Sequence, residues 1–253
     1  MPIIFHKNTK EFHLYNDEIS YIFCILRNGQ PGQIYYGRKI KDRESFQHLI
    51  EYSMRDMAPC TYKGDRTFSM EYLKQEYPSY GHGDMREPAY EILQEDGSRI
   101  TEFTFEDYVI LKGKRKLEGL PAVYTESDEE AETLEIYLRD RVMNTKIILS
   151  YTIFENLPVI IRNTRFVHEG ESSIVLERAM SLNLDLPDDR YEMVELTGAW
   201  ARERYVKTAP LHEGIQAIYS MRGHSSHQFN PFFALKRPET TEDAGEAIGI
   251  SLV

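Results

Sequence analysis

The chain is short of several things that would each have announced a function. It has two cysteines, Cys24 in a strand-like run and Cys60 in a loop-like one. Two thiols make no disulfide framework, so the setting read from them is reducing and cytoplasmic, with buried or idle thiols. Positive charge is in deficit: 30 Lys and Arg against 41 Asp and Glu leave a formal charge of −11. Nucleic acids and anionic membranes are therefore poor partners, because both select a positive field. No apolar run approaches the ~20 residues that span a bilayer. The opening MPIIFHKNTKEFHLYNDE has no apolar core of the signal-peptide kind. No P-loop is present: Gly81-His82-Gly83-Asp84-Met85-Arg86 resembles a phosphate cradle but lacks the lysine and the following helix. No cofactor is expected.

What remains is a soluble composition, 41% hydrophobic and 28% charged over 253 residues, enough for one large all-β domain or two smaller ones. FHLYN, YIFCILR and GQIYYG read as a β-meander, with Asn28-Gly29 as the hairpin signal between the last two. Phe46, Leu49, Ile50 and Met54 fall at helical spacing, predicting one short amphipathic helix at most over 44–54. From Arg55 to Pro88 the pattern breaks into prolines, glycines and aromatics. That composition predicts an ordered irregular excursion, pinned by an Asp84–Arg86 ion pair, with Asp65-Arg66 a second candidate pair. Strands resume with AYEIL, a turn at Asp96-Gly97, and the series ITEFTFEDYVILKG, EAETLEIYLRD, TKIILSYTIF, PVIIRNTRFVH and SSIVLERAMSLNLDL. Ile248, Ile250 and Leu252 alternate with Gly249, Ser251 and Val253 as a last strand. Many strands with short turns and almost no helix predict a large antiparallel β-sandwich without an evident linker.

Residues 191–253 carry the densest side-chain chemistry. The only tryptophan, Trp200, is flanked by Arg202, Glu203 and Arg204, with the two arginines expected on one strand face. The loop Arg222-Gly-His-Ser-Ser-His-Gln leads to Asn230-Pro231. Indole faces stack on sugar rings, and planar donors and acceptors suit hydroxyls. His224 and His227 can hold a metal only with a remote third ligand, so loop scaffolding or an interface contact is the expected role. Ser225 and Ser226 beside His227 lack the oriented base that nucleophilic catalysis requires. With 41 acids, carboxylate pairs arise by chance and no spacing singles one out.

Taken together, DRTFSMEYLKQEYPSYGHGDMREPAY, LKGKRKLEGLPAVY, EAETLEIYLRD, LTGAWARERY and RGHSSHQFNPFFAL resemble the amino-terminal domain of family-36 glycoside hydrolases, bacterial α-galactosidases that act on melibiose and raffinose. The resemblance covers the whole chain. It implies a galactose-mutarotase-like antiparallel β-supersandwich over residues 1–253, truncated at its C-terminal end and lacking the catalytic (β/α)₈ barrel. The family's nucleophile lies in a Lys-Trp-Asp-type motif, absent here because Trp200 stands between Ala199 and Ala201. No catalytic residue is therefore assigned. The resemblance further implies a homotetramer in which this domain walls a neighbour's α-galactoside pocket. Asp56 and Arg66 match the family's pocket-lining aspartate and arginine, and Tyr191 and Trp200 are candidate aromatic walls. A stand-alone sugar-binding module and a mutarotase-like enzyme using His168, His212 or His227 with a glutamate are the alternatives.

Overall fold

In the computed structural model, which describes residues 3–54, 62–82 and 84–253, residues 3–38 form the predicted meander. Strands β1 (Ile3–His6), β2 (Glu11–Tyr15), β3 (Ile19–Ile25) and β4 (Pro31–Arg38) pair in that order, each antiparallel to the next. Asn28-Gly29 makes the turn its sequence signals: Gly29 takes φ +86°, and Leu26 N–H donates to Gln30 O at 2.8 Å.

Every residue of β3 is buried. Tyr21, Phe23 and Ile25 join Phe12 and Leu14 in the main core, while Ile22 and Cys24 join Phe46, Phe68, Met70 and Leu73 in a second cluster. A strand covered on both faces has no polar side, which is why YIFCILR reads as a dense run and not as an alternation.

The main core is shared with a second meander of the same unit. After β5 (Tyr90–Gln94) come β6 (Thr104–Lys112), β7 (Ala131–Asp140), β8 (Thr145–Phe154) and β9 (Ile160–His168), ordered β6-β7-β8-β9. Leu134, Ile136, Leu138, Ile147, Leu149, Tyr151 and Ile153 supply its inner residues. Phe5, Phe12 and Phe23 are cross-strand partners on β1, β2 and β3, with ring centroids 4.4 and 4.9 Å apart. Phe23 then stacks on Tyr151 at 4.9 Å. Each such pair contributes about 0.5–1.5 kcal/mol beyond the area it buries. β5 pairs instead with β10 (Ile174–Ala179), so the Asp96-Gly97 turn is present but does not return a hairpin partner. The strand expected over SSIVLERAMSLNLDL stops at Ala179, and the remainder is irregular.

The helix spacing over 44–54 closes only into a 3₁₀ turn, Gln47–Leu49. Phe46 is fully buried while Leu49 and Met54 are exposed, so the four apolar residues do not share a face. The Glu11 carboxylate accepts Phe46 N–H at 2.8 Å and the Gln47 amide at 2.7 Å, and fixes the segment before a second turn forms. The excursion that follows has no strand or helix among its described residues, yet Phe68, Ser69, Met70, Leu73, Gln75, Glu76 and Tyr77 are all buried.

Glu76 ties this excursion to both sheets. Its carboxylate accepts the Tyr21 hydroxyl of β3 at 2.7 Å, the Tyr151 hydroxyl of β8 at 2.9 Å, and Arg162 Nη1 of β9 at 2.5 Å. The Arg162 guanidinium lies 3.8 Å above the Tyr151 ring. Burial raises the Glu76 carboxyl above its ordinary value, against the pull of Arg162, and pushes both phenols up as well.

The residues divide into two compact units, Met1–Lys116 with Tyr124–Asp185, and Leu117–Val123 with Leu186–Val253. The second unit is a single antiparallel sheet: β11 (Glu192–Ala199), β12 (Arg202–Pro210), β13 (Phe229–Lys236) and β14 (Ala247–Ser251), ordered β12-β11-β13-β14. At the β11–β12 tip, Ala201 holds φ +64° and Arg204 φ +60°. Thr197 pairs with Tyr205 and Ala199 with Arg202, so β12 carries one residue more than β11 across this step, a bulge. The bulge breaks the alternation that placed Arg202 and Arg204 on one face. Gly198 permits the close approach: a Cβ there would overlap the Arg202 carbonyl oxygen and lie 2.9 Å from Glu203 Cα.

Two stability predictions follow from these contacts. Glu76→Gln leaves the Arg162 charge buried without its counterion and is expected to destabilise the first unit by about 3–5 kcal/mol. Adding Arg162→Met should recover much of that loss in chemical denaturation; additive losses would contradict the pairing. Gly198→Ala should cost about 1–3 kcal/mol through backbone displacement. Its amide shifts should concentrate at residues 196–206, and an unchanged melting temperature would show that the close approach is not required.

Candidate functional site

The excursion builds a rigid platform under Arg66. Lys63 (φ +46°) and Gly64 (φ +77°) form a two-residue turn between Tyr62 and Asp65, which are bridged antiparallel. Positive φ at both central positions is the pattern of the tightest hairpin turn. Asp65 then accepts Thr67 Oγ1 at 2.6 Å and Thr67 N–H at 2.9 Å and pairs with Arg27. The Thr67 hydrogen bonds, hydroxyl first, hold the Asp65 carboxyl below the usual carboxylate range. Phe68 is buried and its ring lies 5.4 Å from Tyr62. Arg66 is thus exposed on a backbone fixed at both flanks. The candidate Asp65–Arg66 pair resolves differently, since Asp65 pairs with Arg27.

The other pair is as predicted. Arg86 Nε lies 2.8 Å from Asp84, whose carboxylate is almost wholly buried, and the same guanidinium reaches Asp185 and donates to Leu73 O at 2.8 Å. One arginine therefore pins the end of the excursion to chain a hundred residues later. Asp56 lies outside the described residues, as does Cys60.

Trp200 and Tyr191 belong to the second unit and do not come together. They flank opposite ends of the eight-residue β11, which at ~3.3 Å per residue separates them by about 30 Å. Trp200, at the β11–β12 tip, is 82% exposed. Tyr191 is 2% exposed; its hydroxyl donates to Glu246 at 2.8 Å, and Arg237 covers its ring at 3.9 Å. Burial and the neighbouring Glu246 carboxylate push its phenol up to about 12. Tyr191 is a packed sheet residue with no ring face to offer, while Trp200 stands exposed.

The polar loop lines a separate cleft of about 410 Å³ in this unit, whose walls include Tyr219, His224, Ser225, Phe229, Asn230 and Ile250. The Tyr219 and Phe229 rings lie nearly parallel, centroids 6.3 Å apart. His224 Nδ1 faces Ser225 O at 2.5 Å, and Ser220 Oγ donates to His224 O at 2.7 Å, so the loop is scaffolded by its own backbone contacts. Ser226 Oγ accepts Gln228 N–H at 3.2 Å. Among the described residues no three His, Cys, Asp or Glu side chains converge as metal ligands. Among the described residues no helix is long and apolar enough to cross a membrane. Sequence reasoning missed the Tyr219–Phe229 platform because the two rings lie ten positions apart and meet only through the loop.

The chain matches the model of the glycosyl hydrolase family 36 N-terminal domain over residues 29–253. It is 41% identical to α-galactosidase AgaA of Geobacillus stearothermophilus over 253 residues, covering 100% of this chain and 35% of that one. Among solved structures it is similar to the α-galactosidase of Lactobacillus brevis, at a TM-score of 0.94 and 41% identity over 97% of this chain and 33% of that one. A variant of AgaA solved in complex with raffinose superposes at a TM-score of 0.90 and 41% identity, with 95% of this chain and 33% of that one covered. The chain thus spans about a third of the length of the relatives it matches. The family match and this similarity lead to one assignment: the chain belongs to the N-terminal domain of glycosyl hydrolase family 36.

Proposed function

We propose that the chain is the non-catalytic β part of a retaining α-galactosidase that removes terminal α-galactosyl groups from oligosaccharides such as melibiose and raffinose. It serves homotetramer assembly in the cytoplasm and lines the substrate pocket of a neighbouring subunit. The observation that carries this reading is coverage, since essentially the whole chain aligns with one third of α-galactosidases. The distribution of its buried acids supports it. Retaining glycosidases need two reachable carboxylates about 5–5.5 Å apart. Here Glu76 is spent on Tyr21, Tyr151 and Arg162; Glu11 on Phe46 and Gln47; Asp140 on the amides of Glu102, Val142 and Met143; and Glu135 on Arg115 and Tyr137, which leaves Glu132, with one unpartnered oxygen, as the single uncommitted acid among the buried described ones.

In this reading Arg66 presents a planar guanidinium to vicinal sugar hydroxyls, with Asp56 as its carboxylate companion. Trp200 supplies an exposed aromatic wall, and Tyr191 acts indirectly, by holding the strand from which that wall extends. Their effect is on affinity and on which galactosides fit. A second reading, a sugar-binding module, is favoured by the near-parallel Tyr219 and Phe229 rings beside Asn230 and His224.

The purified chain is expected to give no turnover of an aryl α-galactoside, and sustained hydrolysis would overturn the division of labour. In the α-galactosidase that contains this chain, Arg66→Ala should raise KM for raffinose about tenfold with kcat nearly unchanged, the pattern of lost uniform binding. A fall in kcat at constant KM would instead place Arg66 at the chemical step. Titration of the chain with galactose, read by its single indole, separates the second reading: a saturable change lost in Phe229→Ala and kept in Arg66→Ala would favour a module.

A further inference from the structure

Trp200 stands at the apex of a turn that does not support itself. Ala199 pairs with Arg202, so Trp200 and Ala201 are the two residues that close the β11–β12 hairpin. Hairpins of that loop length favour positive φ at the first central residue, because such turns match the right-handed twist of the strands. Here φ is positive at Ala201, +64°, and not at Trp200. A turn of that sign pattern prefers glycine or asparagine at its second central residue. Alanine has a Cβ to clash and no side chain to bond locally, so the left-handed conformation is costly for it.

Glu203 offsets that cost. Its Oε1 accepts Ala201 N–H at 2.7 Å, a charge-assisted bond to the residue that carries the strain. Arginines stand on both sides of Glu203 in the sequence, yet its carboxylate is used on a backbone amide. Beyond it, Arg204 holds φ +60°, at the bulge that gives β12 one residue more than β11 between the Ala199–Arg202 and Thr197–Tyr205 pairs. Gly198 leaves room for the Glu203 backbone against β11. Its N–H donates to Gln228 O at 3.2 Å, which ties this level of the hairpin to the residue before β13. Backbone strain persists where the surroundings over-determine it, and it collects at recognition sites. What it carries here is an exposed indole.

We propose that Glu203 is a positioning residue: by capping Ala201 N–H it fixes the direction in which the hairpin apex presents Trp200 to the galactoside pocket of a neighbouring subunit. This role rests on Trp200 acting as a wall of that pocket. Glu203 itself touches no substrate. It removes freedom that the apex would otherwise lose on binding, so it contributes to affinity and leaves the bond-breaking step alone. A large aromatic anchor binds best from a backbone already set in its bound direction.

The test joins amide exchange by NMR on the purified chain to kinetics of the α-galactosidase that contains it. In Glu203→Ala the Ala201 amide should exchange about fivefold faster at fixed pH, the scale of one hydrogen bond. Glu203→Gln keeps the acceptor and removes the charge, and should restore most of that protection. In the enzyme, Glu203→Ala should raise KM for raffinose about threefold at nearly constant kcat, with Glu203→Gln close to wild type. The double variant Glu203→Ala/Trp200→Ala should be no worse than Trp200→Ala alone, and additive losses would overturn the coupling. Unchanged Ala201 exchange in Glu203→Ala would overturn the cap. A Gln variant that behaves as the Ala variant would do the same, by showing a charge that acts at a distance. A KM raised by Trp200→Ala but not by Glu203→Ala would overturn the positioning role and leave the wall intact. Unchanged KM in both, with fast Ala201 exchange in Glu203→Ala, would remove the wall and the positioning role with it.

Discussion

A carboxylate with no access to water holds the first unit together. Glu76 sits on a segment without regular structure, yet it reaches hydroxyls on two different sheets and a guanidinium on a third strand. Removing such a group from water is costly, and only a nearly complete set of partners offsets that cost. The segment carrying Glu76 can therefore occupy only the path that delivers the carboxylate to those partners. The irregularity of the excursion and its order have the same origin: its backbone is directed by long-range polar contacts where neighbouring strands would otherwise direct it.

That arrangement links scaffold to site. The excursion is secured at its middle by Glu76 and at its end by Arg86, which gathers Asp84, Asp185 and a backbone carbonyl. Nearer its start, the Tyr62–Asp65 turn is fixed through Arg27 and Thr67. Arg66 inherits this rigidity. A guanidinium on a fixed backbone loses less freedom when it meets a ligand than one on a mobile loop, which is the physical basis of the recognition role proposed for it.

How much of this was legible in the sequence differs from element to element. The meanders were plain, because alternation and Asn28-Gly29 act over a few residues. The two-sided burial of β3 was legible as an unbroken apolar run, though not what covered its second face. The spacing of Phe46, Leu49, Ile50 and Met54 pointed to a helix that does not form, because Glu11, 35 positions earlier, captures the Phe46 amide. Asp84–Arg86 could be read as a pair because the partners are two residues apart. Glu76–Arg162 could not, since the partners lie 86 positions apart. For the site, the sequence singled out Trp200 and Arg66, and both stand exposed. It also singled out Tyr191, whose ring is enclosed by Arg237 and Glu246, contacts that span roughly fifty residues and leave no local trace. Asp56 lies outside the described residues.

The bulge beside Trp200 has a bearing on solubility. β12 is an edge strand with every residue exposed, and it includes Tyr205 and Val206. A straight edge of that kind is a template onto which foreign strands add without selection. Here the left-handed backbone at Arg204 bends the start of the strand, and Arg202, Arg204 and Lys207 set positive charge along it. The same hairpin that presents an indole thus discourages fibre-like stacking, so an adhesive aromatic tip and a non-adhesive border come from a single local distortion.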